Sequence, residues 1–136
     1  MALLDCNRLF PQDPKGLGLA RAIFSSIRDL PILSPHGHTD PQWFATNQPF
    51  ENPAALFVTP DHYVCRMLNS HGITPEKLGI KPINGANYER DARKIWKRFA
   101  SYYYLFRGTP TRLWIDQVLQ EIFNVNLVLS KETADD

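Results

Sequence analysis

At 136 residues the chain has room for one domain with a real core. Its formal net charge of +1 and 21% charged residues leave no global pull toward nucleic acid or an anionic membrane. Two cysteines, Cys6 and Cys65, make neither a disulfide framework nor a zinc knuckle and fit a reducing cytoplasm.

The amino terminus, Met1 to Arg8, lacks a basic segment followed by a long apolar core, so no secretory signal is expected. The longest strictly apolar run, Ala54 to Val58, is far too short to span a bilayer.

Six prolines follow a side-chain acceptor: Asp13-Pro14, Asp40-Pro41, Asn52-Pro53, Thr59-Pro60, Thr74-Pro75 and Thr109-Pro110. Each pair matches an N-cap followed by the first helical residue, where proline's missing N–H costs nothing. After the first, Leu17, Ala20, Phe24 and Ile27 recur at three and four, which predicts an amphipathic helix over 13–29.

Pro31 stops that helix. Ile32 and Leu33 then fit one short buried strand, bracketed by Pro31 and Pro35, within a segment 31–41 that ends in a loop. In that loop His36 and His38 flank Gly37, and residues two apart in extended backbone project to one side. Both imidazoles can thus reach one ion, zinc or a similar metal being the usual choice. Taken alone, such a pair is more often two exposed loop histidines, so the flanking residues decide.

From 42 to 129 the expectation is a helical region. A brief turn around Trp43 and a short helix from Asn52 to Phe57 lead into a firmer helix from Thr59 to about Ser70, with Gly72 as its C′ residue. Tyr63, Val64, Met67 and Leu68 form its apolar stripe, while His62 and Arg66, four apart, share the neighbouring face. A one-turn helix starts at Thr74-Pro75. Tyr88, Ala92, Ile95, Phe99, Tyr102 and Phe106 then predict a long helix from about Ala86 to Phe106, with Tyr102 in the core. Thr109-Pro110 restarts the chain in a helix whose apolar face includes Trp114, Ile115, Leu119 and Phe123, and the two are expected to pair antiparallel. Finally, Ser130 to Thr133 carries a helix-opening signal, so 130–136 reads as the start of a truncated helix. One strand among several helices also fits an incomplete fold, because a lone strand cannot satisfy its backbone groups.

The stretch Pro31-Ile32-Leu33-Ser34-Pro35-His36-Gly37-His38-Thr39-Asp40-Pro41 resembles the metal motif of the amidohydrolase superfamily and, within it, the uronate isomerases. The likeness extends through Leu3-Leu4-Asp5 to Arg8-Leu9-Phe10-Pro11, Asp61-His62-Tyr63 with Arg66, the Phe106-Arg107-Gly108-Thr109-Pro110 turn before Trp114, and Leu129 to Asp135. Thr39, where an aliphatic residue is usual, is a mild departure that leaves the ligands intact.

The resemblance implies a mainly α amino-terminal fragment of a metal-dependent (β/α)8 TIM barrel with an inserted helical region. It further implies a cytoplasmic enzyme that interconverts aldose and ketose hexuronates. By resemblance, His36 and His38 are ligands of a divalent metal, zinc being the expected ion. His62 and Tyr63 bind substrate oxygens or handle a proton, and Arg66 takes the substrate carboxylate. A fragment without the later ligands is expected to be inactive alone, and apolar surface left for the missing barrel is expected to drive homo-oligomerisation or other self-association.

Other readings remain open at this point. Arg90, Arg93, Lys94, Lys97 and Arg98 recur along one helix and would suit a nucleic-acid module, although such a stripe is ordinarily a solvated outer face. A non-catalytic helical interaction domain and a different metal-dependent amidohydrolase are the remaining alternatives.

Overall fold

The structure is a computed structural model that describes residues 4–136; the opening residues, including the Leu3 of the motif above, lie outside the described part. It divides into two compact units, one ending at Thr39 and one running from Asp40 to Asp136. Among the described residues it is helical, with six α-helices and two 3-10 turns and no strand.

In the first unit, α1 spans Pro14–Ile27. Asp13 caps it, its carboxylate accepting from the Gly16 amide at 2.7 Å, as the Asp-Pro signal predicts. The preceding segment folds back on α1: Arg21 donates from Nε to Asn7 Oδ1 at 2.9 Å and lies 4.5 Å from the Phe10 ring centre. Phe10 meets Phe24 edge-on at 5.7 Å. No α1 residue is fully buried, so these contacts hold the unit without a sealed core.

The expected strand at Ile32 and Leu33 does not form. Both side chains are about nine-tenths exposed, at 91% and 90%, and the backbone there is irregular. The reason is physical: two apolar residues between prolines have no neighbouring strand to take their amide and carbonyl groups.

The second unit holds the core. Its helices are α2 (Pro41–Thr46), α3 (Pro53–Phe57), α4 (His62–Asn69), α5 (Ala92–Ser101) and α6 (Pro110–Glu121), with 3-10 turns at Pro75–Leu78 and Tyr103–Phe106. Five of the six proline signals mark helix starts. Thr59-Pro60 does not, because Asp61 captures the cap instead, its Oδ1 accepting from the Tyr63 and Val64 amides at 2.8 and 3.2 Å. At the other end of α4, the amides of Gly72 and Ile73 return to the carbonyls of Asn69 and Leu68, with Gly72 at φ +79°. That is the predicted glycine C′ closure.

The long helix expected over Ala86 to Phe106 is shorter and broken. Asp91 caps α5 through the Arg93 and Lys94 amides at 3.0 and 3.2 Å, leaving Tyr88 in the preceding loop. After Ser101 the chain tightens into the 3-10 turn, which shifts the register by part of a residue's rotation. In consequence Tyr103, not Tyr102, is the tyrosine that is wholly buried.

Phe57 of α3 is the hub. Trp96 of α5, Trp114 of α6 and Phe123 lie 6.3, 5.5 and 6.1 Å from it, ring centre to ring centre. Helix α5 packs chiefly on α3, and α6 on the Tyr103–Phe106 turn, in place of the expected α5–α6 antiparallel pair. Residues 130–136 form turns rather than a helix start. They are nonetheless packed, with Leu129 and Ala134 buried and Asp135 paired to Lys97 and Arg93 at 2.6 and 3.6 Å.

Candidate active-site residues

The histidine loop belongs to the first unit. Ser34 Oγ donates to the His36 carbonyl at 2.7 Å, tightening the backbone just before Gly37. The two rings converge: His36 Nε2 and His38 Nε2 are 3.1 Å apart, and the rings meet edge-on with centres 5.1 Å apart. Two nitrogens bound to one tetrahedral ion at about 2.0–2.1 Å are separated by about 3.3 Å, so this spacing is near that of a shared metal. Such an ion needs further ligands. Among the described residues no group of three or more His, Cys, Asp or Glu side chains is placed to hold one. The two ring nitrogens are within hydrogen-bond distance of each other, and two imidazoles alone are fewer ligands than a tetrahedral ion takes.

In the second unit, Asp61 positions His62 and Tyr63 by capping α4, which puts both on the first turn with their side chains exposed. Their rings lie 4.3 Å apart, centre to centre. Arg66, one turn on, sits 6.0 Å from the Tyr63 ring centre. The apolar stripe expected on α4 therefore loses Tyr63, which is 56% exposed, and gains Cys65, which is buried. A phenol tip, an imidazole and a guanidinium share one open patch, a combination able to hold sugar hydroxyls and a carboxylate.

Burial, with the Asp61 carboxylate nearby, pushes the Cys65 thiol up to about 11. That leaves it protonated and inert at neutral pH. Sequence reading missed the cluster in which the buried Tyr103 hydroxyl donates to Asp116 while Arg112 pairs with the same carboxylate. The available signal was the i, i+4 spacing of Arg112 and Asp116.

The basic residues on α5 and just before it are engaged within the chain. Besides the Asp135 pairs, Lys94 meets Asp91 at 3.8 Å, Arg98 donates to the Lys77 carbonyl, and Arg90 lies 5.0 Å from the Tyr88 ring centre. These contacts favour an ordinary structural face over a phosphate-binding one. Among the described residues no helix is long and apolar enough to cross a membrane.

The described chain thus carries two imidazoles on one loop and a His-Tyr-Arg patch on the first turns of α4. The family model for glucuronate isomerase matches residues 17–136, and the chain belongs to that family. The uronate isomerase of Mesorhizobium japonicum is 53% identical over 135 residues, covering 99% of this chain and 29% of the relative. That of Brucella canis is 50% identical over 132 residues, covering 97% and 28%. Among solved structures, glucuronate isomerase from Caulobacter crescentus matches with a TM-score of 0.87 at 44% identity, over 98% of this chain and 28% of that one. The chain spans less than a third of the length of these relatives.

Proposed function

We propose that this chain is the amino-terminal part of a uronate isomerase, supplying two metal ligands and part of the substrate wall to a (β/α)8 barrel completed by further polypeptide. The observation that carries the reading is the approach of His36 and His38 to 3.1 Å in a chain of that family. The substrate is a hexuronate, as D-glucuronate going to D-fructuronate or D-galacturonate to D-tagaturonate. The C2 hydrogen leaves as a proton, C1 takes one up, and the hydroxyl proton passes from O2 to O1, so no external oxidant is needed.

His36 and His38 hold the divalent metal, zinc by the chemistry of the donors. Once bound, it supplies Lewis-acid stabilisation to an oxygen that gains negative charge. Arg66 offers a planar fork to the substrate carboxylate. His62 and Tyr63 hold substrate oxygens or move a proton. The chain alone, without the remaining ligands, is inactive. The free thiols Cys6 and Cys65 accord with a cytoplasmic setting.

The test is a chimera in which residues 1–136 replace the matched part of the Mesorhizobium japonicum relative. It should convert D-glucuronate to the ketose, and His36→Ala should abolish both bound metal and turnover. An inactive, folded chimera overturns the reading, as does an active one indifferent to His36→Ala.

A further inference from the structure

Facing α3 and α5 in the second unit is an apolar groove of about 890 Å³ that the proposed chemistry does not use. Its walls include Leu56, Phe57, Trp96, Leu119, Phe123 and Leu127. Phe123 and Leu127 remain 49% and 44% exposed. A contiguous surface of this kind is seldom left to water. The charged residues in its lining are Glu51, Arg93, Asp135 and Asp136.

Two observations specify what covers it. The relatives are more than three times as long as the part this chain matches, so their polypeptide goes on beyond the matched region. Residues 133–136 form one wall of the groove, and Asp135 is clasped there by Lys97 and Arg93. Polypeptide continuing from Asp136 begins beside the groove, at the high effective concentration a short tether gives.

We infer that the groove seats the segment that follows position 136 in the longer proteins, entering as an amphipathic helix with its apolar face on Phe123, Leu127 and Trp96. The α5–Asp135 ion pairs direct the chain into its seat. The inference rests on family membership and not on the proposed reaction, so a failed isomerase assay leaves it standing.

The experiment extends this chain at Asp136 with the next 30 or so residues of the Mesorhizobium japonicum relative, a length chosen to give several helical turns. The extended chain should melt about 5 °C or more above the 136-residue chain. It should also slow amide exchange at Phe57, Trp96 and Leu129 by at least about tenfold. Leu127→Asp, at a half-exposed position, should cancel both gains while leaving the unextended chain's melting unchanged. Ile83→Asp, on a fully exposed loop residue away from the groove, should cancel neither. Unchanged melting and exchange on extension overturn the inference. So do gains that survive Leu127→Asp, and so does an extended chain whose groove is protected only in a concentration-dependent dimer, which would make a second copy the occupant.

Discussion

The hydroxyl of Tyr103 donates to Oδ1 of Asp116 at 2.9 Å, while Arg112 Nε holds the other carboxylate oxygen at 2.8 Å and its guanidinium lies 4.2 Å from the Tyr103 ring centre. The phenol is fully buried while the Asp116 side chain stays 26% exposed, and the hydrogen bond links the 3-10 turn to α6. Removing the hydroxyl while keeping the ring isolates that bond. Tyr103→Phe should cost about 1–2 kcal/mol, read from urea unfolding; no loss would mean that the Arg112 pair alone secures the turn.

The same group gives the fold a limit in alkali. Burial, and next the Asp116 carboxylate, raise the Tyr103 pKa well above the ordinary tyrosine value. A raised folded-state value means that the contribution is complete below the unfolded pKa of about 10. Above that pH the unfolded chain releases the proton and the folded chain keeps it, so stability falls, by up to about 1.4 kcal/mol per pH unit. Unfolding midpoints measured from about pH 9 to 11 should decline, and the decline should be shallower in Tyr103→Phe.

The two thiols differ in environment and should differ in rate. Cys65 is buried, its thiol pushed up to about 11 and hydrogen-bonded to the Val58 carbonyl, whereas Cys6 is exposed. A disulfide reagent at neutral pH should titrate one thiol quickly in the native chain and the second only on adding denaturant. Rapid modification of both would show that α4 opens readily.

Gly72 and Gly79 both adopt positive φ, at +79° and +84°, yet their surroundings differ. A Cβ at Gly72 meets nothing within 4 Å, while one at Gly79 comes within 2.8 Å of Ile95 Cδ1 and 3.1 Å of Thr59 Oγ1. Gly72→Ala should therefore cost the backbone term alone, about 1 kcal/mol. Gly79→Ala should cost clearly more, because the Ile95 side chain it displaces belongs to the core. Equal melting points would contradict this ordering.

For the histidine pair, the sharpest check is metal binding by the chain itself. Zinc should bind weakly, as two imidazoles provide only half a tetrahedral set. Replacing either His36 or His38 by alanine should weaken it at least about tenfold, a ligand mattering no less than its supporting groups. Titration calorimetry with His71→Ala as the control measures this, and equal affinity in all variants would place the metal elsewhere.

Local chemistry carried much of this fold in plain view. Asp13, Asp40, Asn52 and Thr109 cap the helices their prolines begin, and Gly72 closes α4, because capping needs only residues a few positions apart. The His36-Gly37-His38 spacing likewise foretold that the two rings can meet. Tertiary structure alone decided the rest. Asp61 displaced Thr59 as a cap, the 3-10 turn after Ser101 put Tyr103 rather than Tyr102 inside, and Leu129 and Ala134 were packed without a helix. Ile32 and Leu33 stayed exposed because a strand exists only through a neighbour's hydrogen bonds, and no pattern within two residues can provide one. Sequence sets what each short segment can satisfy by itself; burial and pairing depend on partners distant along the chain, and those are chosen only when the whole surface competes for them.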